Sequence, residues 1–167
     1  MLNNIEAGQT SVEKLIEYQK QGYLFHGSPA NSLTLLEPKP ATDAQNTSGF
    51  NIDTAVFASN DPAPAVLFGC IKNTTSEHNL NGNWSVGGTK KEGNIIIIAK
   101  IPRSWQRCLT GSIGYVYVLN NQEPTKESDD SWQVKIKGIS GPVDCIQVCF
   151  EDFEKLSGII EWVDSHV

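Results

Sequence analysis

At 167 residues the chain has the length of one domain and can bury a hydrophobic core without disulfide or metal staples. Hydrophobic residues make up 39% of it and charged residues 19%, which is the composition of a folded globular protein and argues against disorder. The net charge of -6 gives no general attraction to nucleic acid phosphates, so a nucleic-acid contact would need a local basic surface.

Four cysteines and three histidines are scattered along the chain and form no C-x-x-C pair. We therefore expect no zinc centre and no other metal, with Cys145 and Cys149 as buried free thiols in a strand-like run. The amino terminus lacks the basic and apolar regions of a signal peptide, and the longest aliphatic run, residues 95–99, is too short to span a bilayer. These features predict a reduced, cytoplasmic protein that does not cross a membrane.

The first predicted element is a helix that begins after Thr10. Thr10 and Glu13 have the spacing of a capping box, apolar residues follow on one face, and Gly22 ends the helix. The helix leads into a short apolar strand that ends at His26, because the Gly-Ser-Pro sequence of residues 27–29 cannot continue it. A histidine at a strand end can face a ligand or simply be hydrogen-bonded within the fold.

Two long polar stretches, residues 30–54 and 72–93, are predicted to be surface loops. Between them lies a second short apolar strand, residues 55–59, followed by a helix with Asp61 as its N-cap and Pro62 in its first position. The Gly-Gly-Thr-Lys-Lys run of the second loop lacks the spacing of a phosphate-binding loop, so it is interpreted as flexible.

The second half of the chain is rich in strands. Residues 132–136 alternate apolar and polar side chains, which predicts one buried face and places Gln133 on the polar face. The tail, residues 159–163, fits a strand or a helix. The other predicted elements are strands at residues 95–101, 114–119 and 143–150 and a short helix at residues 151–156. No repeat and no domain boundary are apparent, so residues 1–167 are expected to form one α+β domain.

The order of these features resembles the ADP-ribosyltransferase fold of the diphtheria-toxin and poly(ADP-ribose) polymerase branch. The catalytic sites of that branch are named His, Tyr and Glu after residues on three strands. The resemblance covers roughly residues 22–150 and rests on the His26-Gly27-Ser28 strand, on the Val-Phe-Ala-Ser strand that leads into a helix, and on the strand-rich second half. It implies a split β-sandwich with an N-terminal helix and few short helices.

The resemblance also assigns roles to individual residues. His26 would hydrogen-bond the adenosine-side ribose of NAD, Gly27 would hold the nicotinamide amide through its backbone, and Ser28 would lie near the nicotinamide. Phe57 stands where the family has its tyrosine. Phe68 stands where the family has a second aromatic that sandwiches the nicotinamide, although a core residue of an amphipathic helix is an equal interpretation.

Gln133 falls where the family has its catalytic glutamate. An amide can supply the hydrogen bond of that glutamate to the nicotinamide ribose, but it cannot supply the negative charge. Chain elongation of poly(ADP-ribose) is therefore not expected. Glu123 and Glu127, from the acidic connection before Gln133, are alternative donors of the charge or else solvated loop carboxylates.

The function implied is transfer of one ADP-ribose from NAD to a macromolecular acceptor, protein or nucleic acid, with release of nicotinamide and without a metal. One alternative is an NAD- or ADP-ribose-binding module that has lost turnover. Another is an NAD-dependent RNA 2′-phosphotransferase, which is less favoured because the basic residues that it would need lie outside the clamp strands. Those residues are Lys72, Lys90, Lys91, Arg103 and Arg107. The sequence identifies neither the acceptor nor the oligomeric state.

Overall fold

A computed structural model describes residues 8–40, 54–120, 125–126, 131–136, 138 and 140–164. The helices are α1 (Ser11–Lys20), α2 (Pro62–His78), α3 (Gln106–Leu109) and α4 (Asp152–Lys155), with a 3-10 helix at Arg103–Trp105. The strands are β1 (Leu24–Ser28), β2 (Lys39–Pro40), β3 (Thr54–Ser59), β4 (Ser85–Lys91), β5 (Asn94–Pro102), β6 (Ile113–Leu119), β7 (Thr125–Lys126), β8 (Gln133–Ile136), β9 (Asp144–Cys149) and β10 (Ile159–Val163). The fold is mixed α+β, as the sequence predicts.

The strands form two sheets. The seven-stranded sheet has the order β7-β8-β3-β1-β6-β9, with β2 also paired to β3, and all of its pairs are antiparallel. The three-stranded sheet has the order β10-β5-β4, in which β10 runs parallel to β5. No helix in the described part of the chain is both long and apolar enough to cross a bilayer.

Helix α2 packs against one face of the seven-stranded sheet, called here the helix face. The helix lies so close to β1 and β6 that a Cβ atom on Gly27 would lie 1.9 Å from the carbonyl oxygen of Ala65, and one on Gly114 would lie 2.4 Å from the carbonyl carbon of Gly69. Only glycine permits this distance between backbones. The two glycines therefore fix where α2 crosses the sheet.

Two hydrophobic clusters fill the interior. The first lies on the helix face and joins Phe25 and Val118 of the large sheet to α2 and to Ile97 and Ile101 of the three-stranded sheet. The second lies on the opposite face of the large sheet, called here the far face. Its members are Leu24, Leu36, Val56, Ala58, Tyr117, Leu119, Val134 and Ile136. Because Phe25 and Leu24 are consecutive, the alternation of strand side chains assigns every position of the sheet to one face or the other.

Helix α1 matches its prediction. The backbone N–H of Glu13 donates to the Thr10 hydroxyl (3.2 Å), and the Thr10 N–H donates to the Glu13 carboxylate (2.8 Å), so the capping box is present. Gly22 has φ of +83°, a conformation that glycine adopts without strain. The hydroxyl of Tyr18 donates to Asp144 at 2.9 Å and fastens the helix to β9.

The prediction of a loop at residues 72–93 is wrong. Helix α2 is capped by Asp61 as expected but continues to His78, with the hydroxyls of Thr74 and Thr75 donating to carbonyls one turn earlier. Residues 85–91 form strand β4, which pairs along its whole length with β5. The turn between them uses Glu92 and Gly93 at φ of 51° and 83°, the left-handed pair of a tight hairpin. The N-terminal helix and the few short helices that were expected are α1, α3 and α4, whereas α2, with 17 residues, is longer than expected.

Other predictions are corrected or completed. The tail that fitted two conformations is strand β10, paired with β5. The predicted loop at residues 30–54 contains some paired backbone. Leu36 in it exchanges two backbone hydrogen bonds with Ser140 (2.8 and 2.9 Å), and strand β2 follows. Residues 41–53 lie outside the described part. Cys145 is exposed and Cys149 half-buried, because both lie on the solvent side of β9, the edge strand.

The predicted polar face of β8 is partly buried as well. Lys135 is only 7% exposed. It stands opposite Phe57 in the pairing of β8 with β3, on the helix face. The alternating pattern correctly placed Val134 and Ile136 on one buried face, but Trp132, which precedes β8, packs against the helix-face cluster instead. The pattern also could not show that other parts of the fold cover both faces of β8.

Candidate functional site

The three strands that carry the candidate residues are neighbours in the sheet. Strand β3 lies between β8 and β1, and Ser59 near its end pairs with Gln133 on one side and with Phe25 on the other. At a strand spacing of about 4.8 Å, the Cα atoms of Gln133 and Phe25 lie about 10 Å apart. Residues that are remote in sequence, His26, Phe57 and Gln133, thus belong to one small region of the sheet.

The backbone ladder between β1 and β3 is open beyond its single pair, Phe25 with Ser59. Past that pair, the Nδ1 atom of His26 lies 2.7 Å from the carbonyl oxygen of Phe57. A carbonyl oxygen only accepts hydrogen bonds, so Nδ1 carries the proton and donates it. The imidazole therefore bridges two strands whose backbones have separated.

His26 is held in its neutral form. Burial lowers its pKa from the ordinary value of 6.5, the Phe57 carbonyl opposes this change, and the positive charges of Lys72 and Lys39 lower the pKa further. A neutral ring with its proton on Nδ1 leaves a lone pair on Nε2. Nε2 has no hydrogen-bond partner among the described residues, so it can accept a hydrogen bond from a ligand hydroxyl.

The candidates divide between the two faces of the sheet. Phe57 and Gln133 alternate with residues of the far-face cluster and so lie on the helix face. His26 and Ser28 alternate with Phe25 and so start from the far face. The His26 ring lies between these two sets, because it reaches from β1 to the Phe57 carbonyl of β3.

Gly27 packs against helix α2, although the sequence predicts that it faces a ligand. Its Cα is covered by α2, with the Ala65 carbonyl at the position that a side chain would occupy. Gly27 has no side chain, so a ligand could contact only its backbone, which lies in the plane of the sheet and stands opposite Val116 in the pairing of β1 with β6.

The hydroxyl of Ser28 is already used within the fold. It accepts the N–H of Ala30 at 3.2 Å and forms a local turn, and the residue is buried. The chain that follows is fastened by Tyr117, which stands opposite His26 in the pairing of β1 with β6. The Tyr117 hydroxyl accepts the N–H of Leu33 (3.1 Å) and donates to the carbonyl of Ala30. Sequence reasoning missed this anchor, because an aromatic in a buried strand looks like an ordinary core residue.

Phe68 lies on α2 and is half-buried. Its ring packs edge-to-face on Trp84, with ring centroids 5.2 Å apart at an interplanar angle of 64°. Phe57 is also half-buried, and the described rings show no contact between Phe57 and Phe68. Each phenylalanine thus keeps part of its surface accessible.

The start of β8 is fixed to the end of β3. Asn60 donates its backbone N–H to the Trp132 carbonyl (3.0 Å) and its side-chain amide to the Ser131 carbonyl (3.3 Å). The backbone N–H of Gln133 donates to the Ser131 hydroxyl at 3.2 Å. The side-chain amide of Gln133 is half-buried and has no partner within the described ranges, so it can bind a ligand hydroxyl. Glu123 and Glu127, the alternative carboxylates, lie outside the described residues.

The charges of two lysines act on His26. Lys72 lies one helical turn after Phe68 on α2, and Lys39 lies on β2; both lower the pKa of His26 by charge repulsion. Lys72 lies outside the clamp strands, as expected, because it is on α2. Lys39, on β2, is a residue that the sequence analysis did not single out. The other basic residues considered for a phosphate site lie elsewhere: Lys90 and Lys91 on β4, Arg103 in the 3-10 helix with its side chain on Asp164 at 3.2 Å, and Arg107 on α3.

Other parts of the structure offer weaker sites. The described residues contain no group of three or more His, Cys, Asp or Glu side chains that could hold a metal ion, and the four cysteines are free. An open depression of about 420 Å³ lies at the β9 edge of the sheet, two strands from β1, beside Ser11, Gly111, Gln147 and Cys149. It shares no lining residue with the His26 region.

No protein-family model, no curated protein and no solved structure matches this chain.

Proposed function

We propose that this chain is a mono-ADP-ribosyltransferase with an ADP-ribosyltransferase-like split β-sandwich, which transfers ADP-ribose from NAD to a macromolecular acceptor and releases nicotinamide. One observation carries the proposal: His26, Phe57 and Gln133 lie on three adjacent strands, in the order β1, β3, β8. The family resemblance requires the three positions to meet, although they are far apart in sequence.

The nicotinamide would bind on the helix face. Phe57 and Phe68, half-buried and without ring contact to each other, supply two aromatic surfaces for a planar ring. The backbone N–H and C=O of Gly27 match the acceptor and donor of the nicotinamide carboxamide. This pairing would fix the orientation of the ring before the glycosidic bond breaks.

The adenosine-side ribose would bind near His26. Nε2 of the neutral ring accepts a hydrogen bond from a ribose hydroxyl, while the Nδ1–H bond to Phe57 fixes the orientation of the ring. A dinucleotide is long enough to place one ribose at His26 and the nicotinamide on the helix face. The opening between β1 and β3 would then be the path that it follows.

In the reaction, the bond between the ribose C1′ and the nicotinamide nitrogen breaks, and its electron pair leaves with the now neutral nicotinamide. A nucleophile of the acceptor forms a bond to C1′ and loses a proton to solvent. The transition state carries positive charge on the ribose, and the Gln133 amide can hold a ribose hydroxyl without neutralising this charge. The missing carboxylate typically raises such a barrier by a few kcal/mol, so turnover is expected to be slow.

The presence of Gln133 where the family has glutamate also favours a second candidate, an NAD- or ADP-ribose-binding module without turnover. Gln133 is an amide and Phe57 lacks the hydroxyl of the family tyrosine, while the groups proposed to bind NAD, at His26 and Gly27, remain. The two candidates share one ligand and differ only in whether nicotinamide is released.

Gln133→Glu separates these candidates. We expect it to raise the rate of nicotinamide release by roughly ten- to a hundredfold, because about 1.4 kcal/mol of transition-state stabilisation is a factor of ten. The matched control is Gln147→Glu, which makes the same change at an exposed position of β9. NAD binding without nicotinamide release by either the native chain or Gln133→Glu would favour the binding module. Absence of NAD binding would contradict the transferase, and absence of both NAD and ADP-ribose binding would contradict both candidates.

A further inference from the structure

We propose that the chain pairs with a second copy of itself through the outer face of its three-stranded sheet. The outer face is the side of this sheet that points away from the first hydrophobic cluster. The inference is independent of the proposed function. The residues that define the outer face are Ile96, Ile98 and Lys100 of β5 and Ile159, Glu161 and Val163 of β10.

The alternation of side chains along the strands separates the outer face from the interior. Ile97 and Ile101 of β5 are buried in the first cluster, and Trp162 of β10 packs against it. Because neighbouring residues of a strand point to opposite sides, the residues before and after each of these lie on the outer face. The register agrees, because Ile98 stands opposite Ile159 and paired residues share a face.

The centre of the outer face is apolar and reaches solvent. Ile159 is 46% exposed and Val163 is 36% exposed, and Ile96 and Ile98 are half-buried. In the described part of the chain, none of these four side chains belongs to either hydrophobic cluster. Gly87 of β4 stands opposite Ile98, and a Cβ atom on it would meet nothing within 4 Å, so β4 leaves this isoleucine uncovered.

The sequence of β5 also indicates that a second face is covered. A sheet with one solvated face normally alternates apolar and polar residues along each strand. Residues 95–98 are four consecutive isoleucines, so this strand carries isoleucine on both faces. The first cluster covers one of these faces, whereas the other carries the exposed apolar residues. Contiguous apolar patches of this kind typically mark interaction surfaces.

The charges on the outer face favour a second copy as the partner. Lys100 and Glu161 lie side by side, with the lysine Nζ atom 3.9 Å from the carboxylate and with side chains that are 61% and 51% exposed. A partner surface of one charge sign would be repelled by one member of this pair. Two copies related by a two-fold axis avoid this repulsion, because the lysine of each copy can lie opposite the glutamate of the other.

The size of the outer face predicts a weak dimer. The nine residues of β5 at about 3.3 Å each, and three strands about 4.8 Å apart, give a face of roughly 30 by 14 Å, or about 400 Å². Each partner in a standard interface buries roughly 800 Å². We therefore expect the dimer to dissociate in the micromolar range, with the two sheets packed face to face.

Sedimentation velocity over about a hundredfold range of protein concentration tests this interface. We expect the average mass of the native chain to rise from monomer toward dimer. Ile159→Lys should raise the dissociation constant at least about tenfold, because it would bury an unpaired charge. The control is Val143→Lys, which makes a similar change at a 43% exposed position outside the outer face and should dimerise like the native chain. Circular dichroism checks that both variants are folded.

Exchanging the charges tests whether the partner is a second copy. Lys100→Glu and Glu161→Lys should each self-associate more weakly than the native chain, because like charges then face one another across the two-fold axis. An equimolar mixture of the two variants should associate at least as tightly as the native chain. In that mixture one copy presents two glutamates and the other presents two lysines.

Each outcome supports or overturns the interface. A native chain that stays monomeric at every concentration overturns it, and so does a dimer that Ile159→Lys leaves intact. Equal weakening by Val143→Lys reveals only a general charge effect and also overturns it. Failure of the mixed charge variants to associate overturns the two-fold pairing of the outer faces. None of these outcomes depends on NAD binding, so the proposed function is tested separately.

Discussion

The protonation of His26 links the site to the stability of the fold. Burial lowers its pKa, so below the unfolded-state value of 6.5 the unfolded chain binds a proton that the folded chain does not. Stability is therefore complete above pH 6.5 and falls as the pH decreases toward the folded pKa. We expect urea unfolding to show that His26→Gln removes up to about 1.4 kcal/mol of the stability difference between pH 7.5 and pH 5.5.

His78 provides the control for this measurement, because it is exposed in the last turn of α2. His78→Gln should keep the pH dependence of the native chain. Partial burial raises the pKa of the Asp61 carboxyl, and this affects the native chain and both variants alike, so it cancels in the comparison. An identical pH dependence in His26→Gln and the native chain would show that His26 is not held neutral.

Gly27 tests how closely α2 approaches the sheet. In Gly27→Ala the new Cβ would lie 1.9 Å from the Ala65 carbonyl oxygen, which is backbone and cannot rotate away. We expect a loss of about 3 kcal/mol in the free energy of unfolding, at the upper end for overpacked interiors. Gly87→Ala on β4 meets nothing within 4 Å and should change stability by less than about 0.5 kcal/mol. Similar values for the two variants would contradict the packing of α2.

At the scale of elements, Tyr117 connects β6 to the segment after β1. Tyr117→Phe removes the acceptor of the Leu33 N–H and the donor to the Ala30 carbonyl. We expect stability to fall by about 1–3 kcal/mol and the Leu33 amide to exchange its hydrogen faster. Tyr115→Phe, two residues earlier on the same strand, removes a hydroxyl without a described hydrogen bond. It should leave the stability and the Leu33 amide exchange nearly unchanged. Unaltered exchange at Leu33 in Tyr117→Phe would exclude the anchor.

Local signals explain which elements the sequence could predict. The capping box of α1 and the Asp61-Pro62 start of α2 involve residues that are neighbours in the chain, so both helix starts were found. The later half of α2 and strand β4 are polar, and this composition predicts a loop. Their structure comes from packing on the sheet and from pairing with β5, and these contacts are long-range.

The site was predictable to a similar degree. The order of the chain and the resemblance placed His26, Phe57 and Gln133 as candidates, and the structure puts their strands side by side. The bond from His26 to the Phe57 carbonyl could not be foreseen, since it depends on where two strands separate. The effect of the Lys39 charge on His26 could not be foreseen either, because nothing in the local sequence of Lys39 indicates it.

The whole molecule is expected to unfold as one unit, because one hydrophobic cluster includes side chains of both sheets. Ile101 of the three-stranded sheet and Val118 of the large sheet are fully buried in it. Ile101→Ala and Val118→Ala should each lower the temperature of one and the same calorimetric transition. We expect Ile101→Ala to lower the free energy of unfolding by about 2–5 kcal/mol. Two separate transitions, each sensitive to one variant, would show that the sheets are independent domains.

The central claim is that the region around His26 binds NAD. The most direct measurement is isothermal titration of NAD into the native chain, with His26→Ala and the exposed-site control His78→Ala in parallel. The account predicts that the native chain and His78→Ala bind NAD and that His26→Ala does so at least about tenfold more weakly, because it lacks the ring that holds the ribose. No binding by the native chain at millimolar NAD, or equal binding by His26→Ala, would contradict it.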